Sequence, residues 1–200
     1  MKKIALASTN SGKCRELNAL FAAQGYVLLS QDNFTRLVVE ETGLTFVENA
    51  IIKARHLARL SGLPTMADDS GIEVDALNGA PGIYSARYAG PDASDHDNMQ
   101  RLLVSMQAID DPFRTARFRC VMVLMRHAED PCPLIAQGSW EGILLREVRG
   151  HGGFGYDPVF YVPTLGMSVA ELPDEIKNIY SHRAQAVKAL QNLMIEAATP

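Results

Sequence analysis

The sequence predicts an α/β domain built on a long mixed sheet with flanking helices. Short apolar runs, Ile4 to Ala7 and Phe118 to Met125 among them, alternate along the chain with stretches whose apolar residues recur at helical spacing. Turns rich in Ser, Asn, Gly and Pro separate these runs. No repeat, low-complexity tract or linker interrupts the 200 residues, so a single domain spanning 1–200 is expected.

Taken in order, Ile4 to Ala7 is a first strand, and Ser8-Thr9-Asn10-Ser11-Gly12 is the cap-and-turn cluster after it. Leu17, Leu20 and Phe21 then mark a helix, and Tyr26 to Leu29 a second strand. Thr45 is placed to cap a helix with Val47, Ala50, Ile51, Ala54, Leu57 and Ala58 on one face, closed by Gly62 and Pro64. Thr65 to Ala67 reads as a brief strand running into Asp68-Asp69-Ser70-Gly71, a turn-like composition. Asn78 to Gly90 is rich in Gly and Pro, and a loop of that length is more often functional than filler. Met99, Leu102, Leu103 and Met106 mark a helix begun at Ser94 or Asp95. Phe118 to Met125 reads as a central strand, and Leu134 to Ala136, Ile143 to Val148 and Val159 to Val162 as three more. The last helix follows Ser181, with Val187, Leu190, Leu193 and Met194 on one face.

Composition narrows the class. Lys and Arg total 19 against 23 Asp and Glu, a net charge of -4, which argues against long duplex nucleic acid as the main partner. No apolar run approaches the roughly 20 residues that cross a membrane. The N-terminal apolar stretch ends at Asn10 and reads as a strand rather than a signal peptide. Cys14, Cys120 and Cys132 are an odd number without metal-type spacing, as expected of reduced thiols in a cytoplasmic protein.

Four segments carry candidate chemistry. Ser8 to Lys13 joins a strand to a helix, where backbone N–H groups at the positive end of the helix dipole suit phosphate and Lys13 adds a full charge. Ala7 and Cys14 stand where a P-loop requires Gly and Ser or Thr, so the Walker pattern fails; an ordinary turn with a surface lysine reads the same. Gly150-His151-Gly152-Gly153-Phe154-Gly155 satisfies G-x-G-x-x-G, but Tyr156-Asp157-Pro158-Val159 enters a strand rather than a helix. Such a loop lets a flat ligand lie near the backbone with Phe154 or Tyr156 stacked on it, or is a plain connection with aromatics in the core.

The third segment is acidic. Glu40-Glu41 and Asp68-Asp69 are neighbouring carboxylates; a buried like-charge pair stays ionised only with a cation nearby, and hard oxygen donors suit Mg²⁺ held jointly with phosphates. Asp69 could hold the ion, activate a water, or do both. Read singly, Asp68-Asp69 is more often a capped turn, and Glu40-Glu41 more often a solvated loop, than a metal site. The fourth is basic: Lys53, Lys177, His182 and Arg183. Lys53 shares a helix side with Asn49, four residues earlier. His182 and Arg183 fall in the first turn of the last helix, where cations oppose the dipole and an anionic or carbonyl-bearing partner, or plain solvent, would accommodate them.

Seven blocks in order resemble the inosine/xanthosine triphosphate pyrophosphatases, the Ham1/RdgB-like family. They are Ala7 to Lys13, Glu40-Glu41-Thr42-Gly43, Phe46 to Ala50 with Lys53-Ala54, Ala67 to Gly71, Gly79 to Arg87, Gly152 to Pro158, and Ser181-His182-Arg183. Ser8 stands where Thr is common in the family and Ala184 where Gly is usual. The resemblance implies a cytoplasmic homodimer of two-lobed chains with a cleft between the lobes. It also implies Mg²⁺-dependent hydrolysis of ITP, dITP and XTP to monophosphate and pyrophosphate. On the matching positions, Ser8, Thr9, Asn10, Ser11, Gly12, Lys13 and Lys53 would bind triphosphate. Asp69 would be proton acceptor and metal ligand, with Ser70 beside the substrate and Glu40 or Glu41 a second ligand. Phe154, Gly155, Tyr156, Asp157, Lys177, His182 and Arg183 would form the base and sugar end, and Arg87 is a further candidate for the phosphates.

No Ser-His-Asp set or Cys-His pair stands near these motifs, which favours a water nucleophile over a covalent intermediate. Two other readings compete: a Maf-like pyrophosphatase for modified pyrimidine nucleotides, and a non-catalytic purine nucleotide sensor. The Ser-His-Arg and Gly-Gly-Phe-Gly-Tyr-Asp segments favour purines over the first. Asp69 with the glutamate pair argues against the second, because a binder needs no water activator.

Overall fold

The computed structural model describes residues 2–22 and 24–197. Its elements are β1 (Lys2–Leu6), α1 (Ser11–Ala22), β2 (Tyr26–Ser30), α2 (Phe46–Ser61), β3 (Thr65–Val74), α3 (Asp95–Ser105), β4 (Thr115–Met125), β5 (Leu134–Leu144), β6 (Phe160–Val162), β7 (Met167–Ser168), α4 (Asp174–Tyr180) and α5 (His182–Glu196). The strands form one sheet in the order β2-β1-β3-β4-β5-β6-β7. β1 runs parallel to β2 and β3, whereas β6 is antiparallel to β5 and β7, so the sheet is mixed as predicted. The fold class is α/β.

The chain forms two compact units. Among the described residues, the first comprises those up to Asp69, Cys120–Gly138 and those from His182 to 197; the second comprises Ser70–Arg119 and Ser139–Ser181. β3, β4 and β5 each contribute residues to both.

In the first unit, strand alternation sorts the side chains between two helical layers. Ile4, Leu6, Met66, Cys120, Met122 and Leu124 face one way, onto Leu17 and Phe21 of α1 and Ala186, Val187 and Leu190 of α5. Ala5, Ala7, Ala67, Val123 and Met125 face the other way, onto Ala50, Ala54 and Leu57 of α2. Each fully buried Leu or Phe in these layers contributes about 1.5–3 kcal/mol relative to exposure. α2 begins and ends where its sequence says it should: Thr45 Oγ1 accepts from the Glu48 N–H at 3.3 Å, and Gly62 closes it at φ 65°.

In the second unit, Ile72, Val74, Phe118, Trp140, Leu144, Phe160 and Val162 pack on Met99 and Leu102 of α3 and on Met106. Ser94 caps α3 through a capping box with Asp97.

The structure corrects two strand readings. β3 does not stop at Ala67 but runs through Asp68, Asp69, Ser70 and Gly71 to Val74. Leu134 to Ala136 and the start of Ile143 to Val148 belong to one eleven-residue strand, which ends at Leu144. The break read between them reflects glycines on its buried face. A Cβ at Gly138 would collide with the His182 carbonyl, and one at Gly142 would lie 2.6 Å from the Phe160 ring. Neither position has room for the apolar side chain that normally signals a strand. α4, which carries Lys177, and the two-residue β7 had no sequence signal strong enough to read.

Candidate active site

The turn between β1 and α1 folds on its own polar side chains. Asn10 Oδ1 accepts from the Lys13 N–H at 3.0 Å, and the Asn10 N–H donates to Ser8 Oγ at 3.2 Å. Thr9, Asn10 and Ser11 are exposed, Ser8 is half-buried and Gly12 is buried. Lys13 leaves this turn toward the sheet, where its Nζ lies 2.9 Å from Asp68 Oδ2.

Because Asp68 and Asp69 are consecutive in a strand, they point to opposite faces of the sheet. The like-charge pair expected from the sequence is therefore two separate sites. Met66 and Asp68 share the face covered by α1 and α5, and Ala67 and Asp69 share the face covered by α2.

On the α2 face, the helical side that carries Asn49 and Lys53 meets Asp69. Lys53 Nζ is 2.8 Å from Asp69 Oδ1, and Asn49 Nδ2 donates to Asp69 Oδ2 at 3.3 Å. Lys53 Nζ is also 2.8 Å from Glu41 Oε1, so one ammonium joins two carboxylates. The turn that delivers Glu41 is pinned by Asn49, whose Oδ1 accepts from the Gly43 N–H at 2.8 Å. Gly43 approaches α2 so closely that a Cβ there would lie 2.6 Å from Glu48 Cβ. Glu40 is exposed, so the geometry singles out Glu41 from the adjacent pair. Burial pushes the Asp69 carboxyl up, a rise that Lys53 opposes and Glu41 reinforces, and the net direction is upward. Burial alone would lower Lys53, but Asp69, Asp68 and Glu41 together hold its ammonium above the usual value. A carboxylate with a raised pKa beside a cation is a suitable proton acceptor for a water.

On the α1/α5 face, Asp68 is fully buried between cations. Burial would raise its carboxyl, but Lys13, Arg183 and Lys53 outweigh it and hold Asp68 well below the usual carboxylate range. Arg183 lies 2% exposed, with its Nε 3.7 Å from Asp68 Oδ2 and its Nη1 on the Glu16 carboxylate. The solvated helix start that one sequence reading allowed is not what forms: His182 and Arg183 are both buried. Glu16, on α1, was not picked out from the sequence; its signal is weak, a glutamate three residues after Lys13 on the same helix side.

The other predicted residues lie in the second unit. Lys177 Nζ is 2.9 Å from Asp157 Oδ2 and sits over the Phe154 ring, 5.3 Å from its centroid. Asp157 Oδ2 also accepts from the Phe154 N–H at 3.0 Å, which folds the glycine-rich loop back on itself. Phe154 is half-buried. The Tyr156 ring is buried in the core, and its hydroxyl donates to the Ser85 carbonyl at 2.7 Å, so its face is not offered for stacking. The Gly155 N–H donates to Asp95 Oδ2 at 2.8 Å, a tether from α3 that the sequence did not reveal. Ser70 follows Asp69 on β3, half-buried. Arg87 lies over the Tyr84 ring at 5.2 Å.

Among the described residues, no three His, Cys, Asp or Glu side chains converge as a metal cage. The donor set nonetheless fits a hard divalent cation of the Mg²⁺ type. Such an ion takes one or two carboxylates and fills its remaining positions with water and substrate phosphate. Glu41 and Asp69 supply two carboxylates that already share one positive charge.

The model of the Ham1 family matches residues 4–193. Two curated relatives, each named dITP/XTP pyrophosphatase, are 55% identical: that of Shigella flexneri over 95% of this chain and 96% of its own, and that of Yersinia pestis over 98% and 100%. Among solved structures, a HAM1 protein from Coxiella burnetii superposes with a TM-score of 0.90 at 49% identity, covering 98% of this chain and all of that one. With a family match across nearly its whole length and relatives identical at more than half their positions, this chain belongs to the Ham1 family.

Proposed function

We propose that this chain hydrolyses the non-canonical purine triphosphates dITP, XTP and ITP to monophosphate and pyrophosphate, removing deaminated purines from the nucleotide pool. The observation that carries the reading is the Glu41–Lys53–Asp69 cluster on the α2 face of a strand whose other face holds Lys13. The names of the 55%-identical relatives supply the substrate class.

In this reading Ser8 to Lys13 and Lys53 bind the triphosphate. A bound Mg²⁺, held by Glu41 and Asp69, supplies charge neutralisation on the phosphates. Asp69, held by the Asn49 amide, takes a proton from the attacking water, and Ser70 lies beside the substrate. The N–H groups of the α1 turn, with Lys13, meet the charge that develops on the leaving pyrophosphate. Within the second unit, Phe154, Gly155, Asp157 and Lys177, with the backbone of Tyr156, serve the base and sugar end. Hypoxanthine and xanthine offer a 6-oxo acceptor where adenine offers an amino group, which leaves such donors unpaired; mismatches of this kind reach about 10⁴-fold. A cytoplasmic homodimer completes the proposal.

Pyrophosphate release from dITP, XTP, ITP, ATP, GTP and modified pyrimidine triphosphates, with Mg²⁺ and with EDTA, tests the reading. Preferential release from the three deaminated purines, abolished by EDTA, is expected. Faster release from the modified pyrimidines would favour the Maf-like reading, and binding without hydrolysis would favour a sensor.

A further inference from the structure

We propose that Lys53 is the placeholder of the metal site: in the metal-free protein its ammonium holds the Glu41 and Asp69 carboxylates together, and it must give up those oxygens before a divalent cation binds between them. The inference rests on the reading that Glu41 and Asp69 are the metal ligands. Lys53 Nζ lies 2.8 Å from Glu41 Oε1 and 2.8 Å from Asp69 Oδ1, so it contacts both carboxylates with two of its three donors. A divalent cation would use the same oxygens at a shorter distance, and an ammonium left in place would repel it at close range.

The surroundings are built for an exchange rather than for a permanent pair. Lys53 is a point charge on a flexible four-carbon stem, able to swing to another anion without loss of its helical anchor. Asp69 has a second, uncharged holder in Asn49 Nδ2 at 3.3 Å, which keeps the carboxylate oriented when Lys53 leaves. Asn49 Oδ1 likewise retains the turn carrying Glu41, through the Gly43 N–H at 2.8 Å. A nucleotide phosphate gives Lys53 a new anionic partner and frees both carboxylates in the same motion. Metal and nucleotide then load together, and the nucleotide-free protein holds its metal weakly.

The test is a Mn²⁺ titration of the nucleotide-free full chain, read by the electron paramagnetic resonance of free Mn²⁺. The proteins are wild type, Lys53→Met, Lys53→Arg, Asp69→Asn and the Lys53→Met/Asp69→Asn double variant. Lys53→Met should bind Mn²⁺ about tenfold or more tightly than wild type, because a unit charge in contact with the ligand oxygens is gone. Lys53→Arg should stay near wild type, and the double variant should lose the gain. Thermal unfolding gives a second readout: Lys53→Met should melt lower than wild type in EDTA and gain more from Mn²⁺. Lys53→Gln serves if the Met variant does not fold. Asp69-dependent binding that is equal or weaker without Lys53 would overturn the placeholder role and leave the metal-site reading standing. Mn²⁺ binding indifferent to Asp69 in both backgrounds would overturn the metal-site reading itself.

Discussion

Between Asp68 and Asp69 the chain advances by one residue along β3, and that step gives two aspartates different work. Asp69 faces Lys53 and Asn49, and its carboxyl is pushed up, as suits a proton acceptor. Asp68 faces Lys13 and Arg183 and is held ionised as a structural counter-charge. Replacing each by Asn should therefore separate the two roles. Asp69→Asn should fold normally and lose about 10²–10⁴-fold in turnover at saturating Mg²⁺, the range for loss of a general base. Retention of more than about a tenth of the rate would contradict its role. Asp68→Asn should instead lose about 3–5 kcal/mol of stability in urea unfolding at pH 7, because a fully buried counter-charge facing Lys13 and Arg183 is removed. The sign of its pH dependence follows from the lowered carboxyl. The folded-state pKa lies below the unfolded value of about 3.9, so the stabilisation is complete above about pH 5 and fades as pH falls below 4. The gap between wild type and Asp68→Asn should narrow on acidification; a gap that widens would contradict the assignment.

At the scale of elements, α2 and the turn before it do most to assemble the site. Thr45 fixes where the helix begins, and the four-residue interval from Asn49 to Lys53 aims both at Asp69. Gly43 brings Glu41 to the same place. Gly43→Ala would put a Cβ 2.6 Å from Glu48 Cβ and 2.7 Å from Asn49 Oδ1, and so should lift the turn and carry Glu41 off Lys53. The expected result is a marked rise in the Mg²⁺ concentration needed for half-maximal activity, with unfolding shifted by no more than about 1–3 kcal/mol, the ordinary cost of overpacking. An unchanged Mg²⁺ requirement would show that Glu41 does not depend on this turn.

The α2 arrangement was legible because helical spacing and caps are local signals, and Asn49 and Lys53 stand four apart in the sequence. β3 was misread at its end because Asp68-Asp69-Ser70-Gly71 has the composition of a turn. Lysines from two different helices neutralise those aspartates, and tertiary pairing of that kind overrides local preference. The Glu16–Arg183 pair and the Asp95 tether to Gly155 join residues 167 and 60 positions apart, beyond the reach of any spacing argument. Glu40 and Glu41 could not be told apart until the turn placed one on Lys53 and left the other in solvent.

For the whole molecule, no helix among the described residues is long and apolar enough to cross a membrane. If the proposed homodimer forms, sedimentation equilibrium should return twice the 21.9 kDa chain mass; a single-chain mass at micromolar concentration would contradict it. The three cysteines are free, and burial pushes the Cys120 thiol up to about 12, which leaves it unreactive at neutral pH. In the proposed reaction, water attacks the α-phosphorus of a deaminated purine triphosphate. Hydrolysis of ITP in ¹⁸O-water, followed by mass analysis of both products, tests it most directly. One ¹⁸O is expected in the monophosphate and none in the pyrophosphate released with it. Label confined to the pyrophosphate, or formation of the diphosphate with labelled orthophosphate, would contradict it.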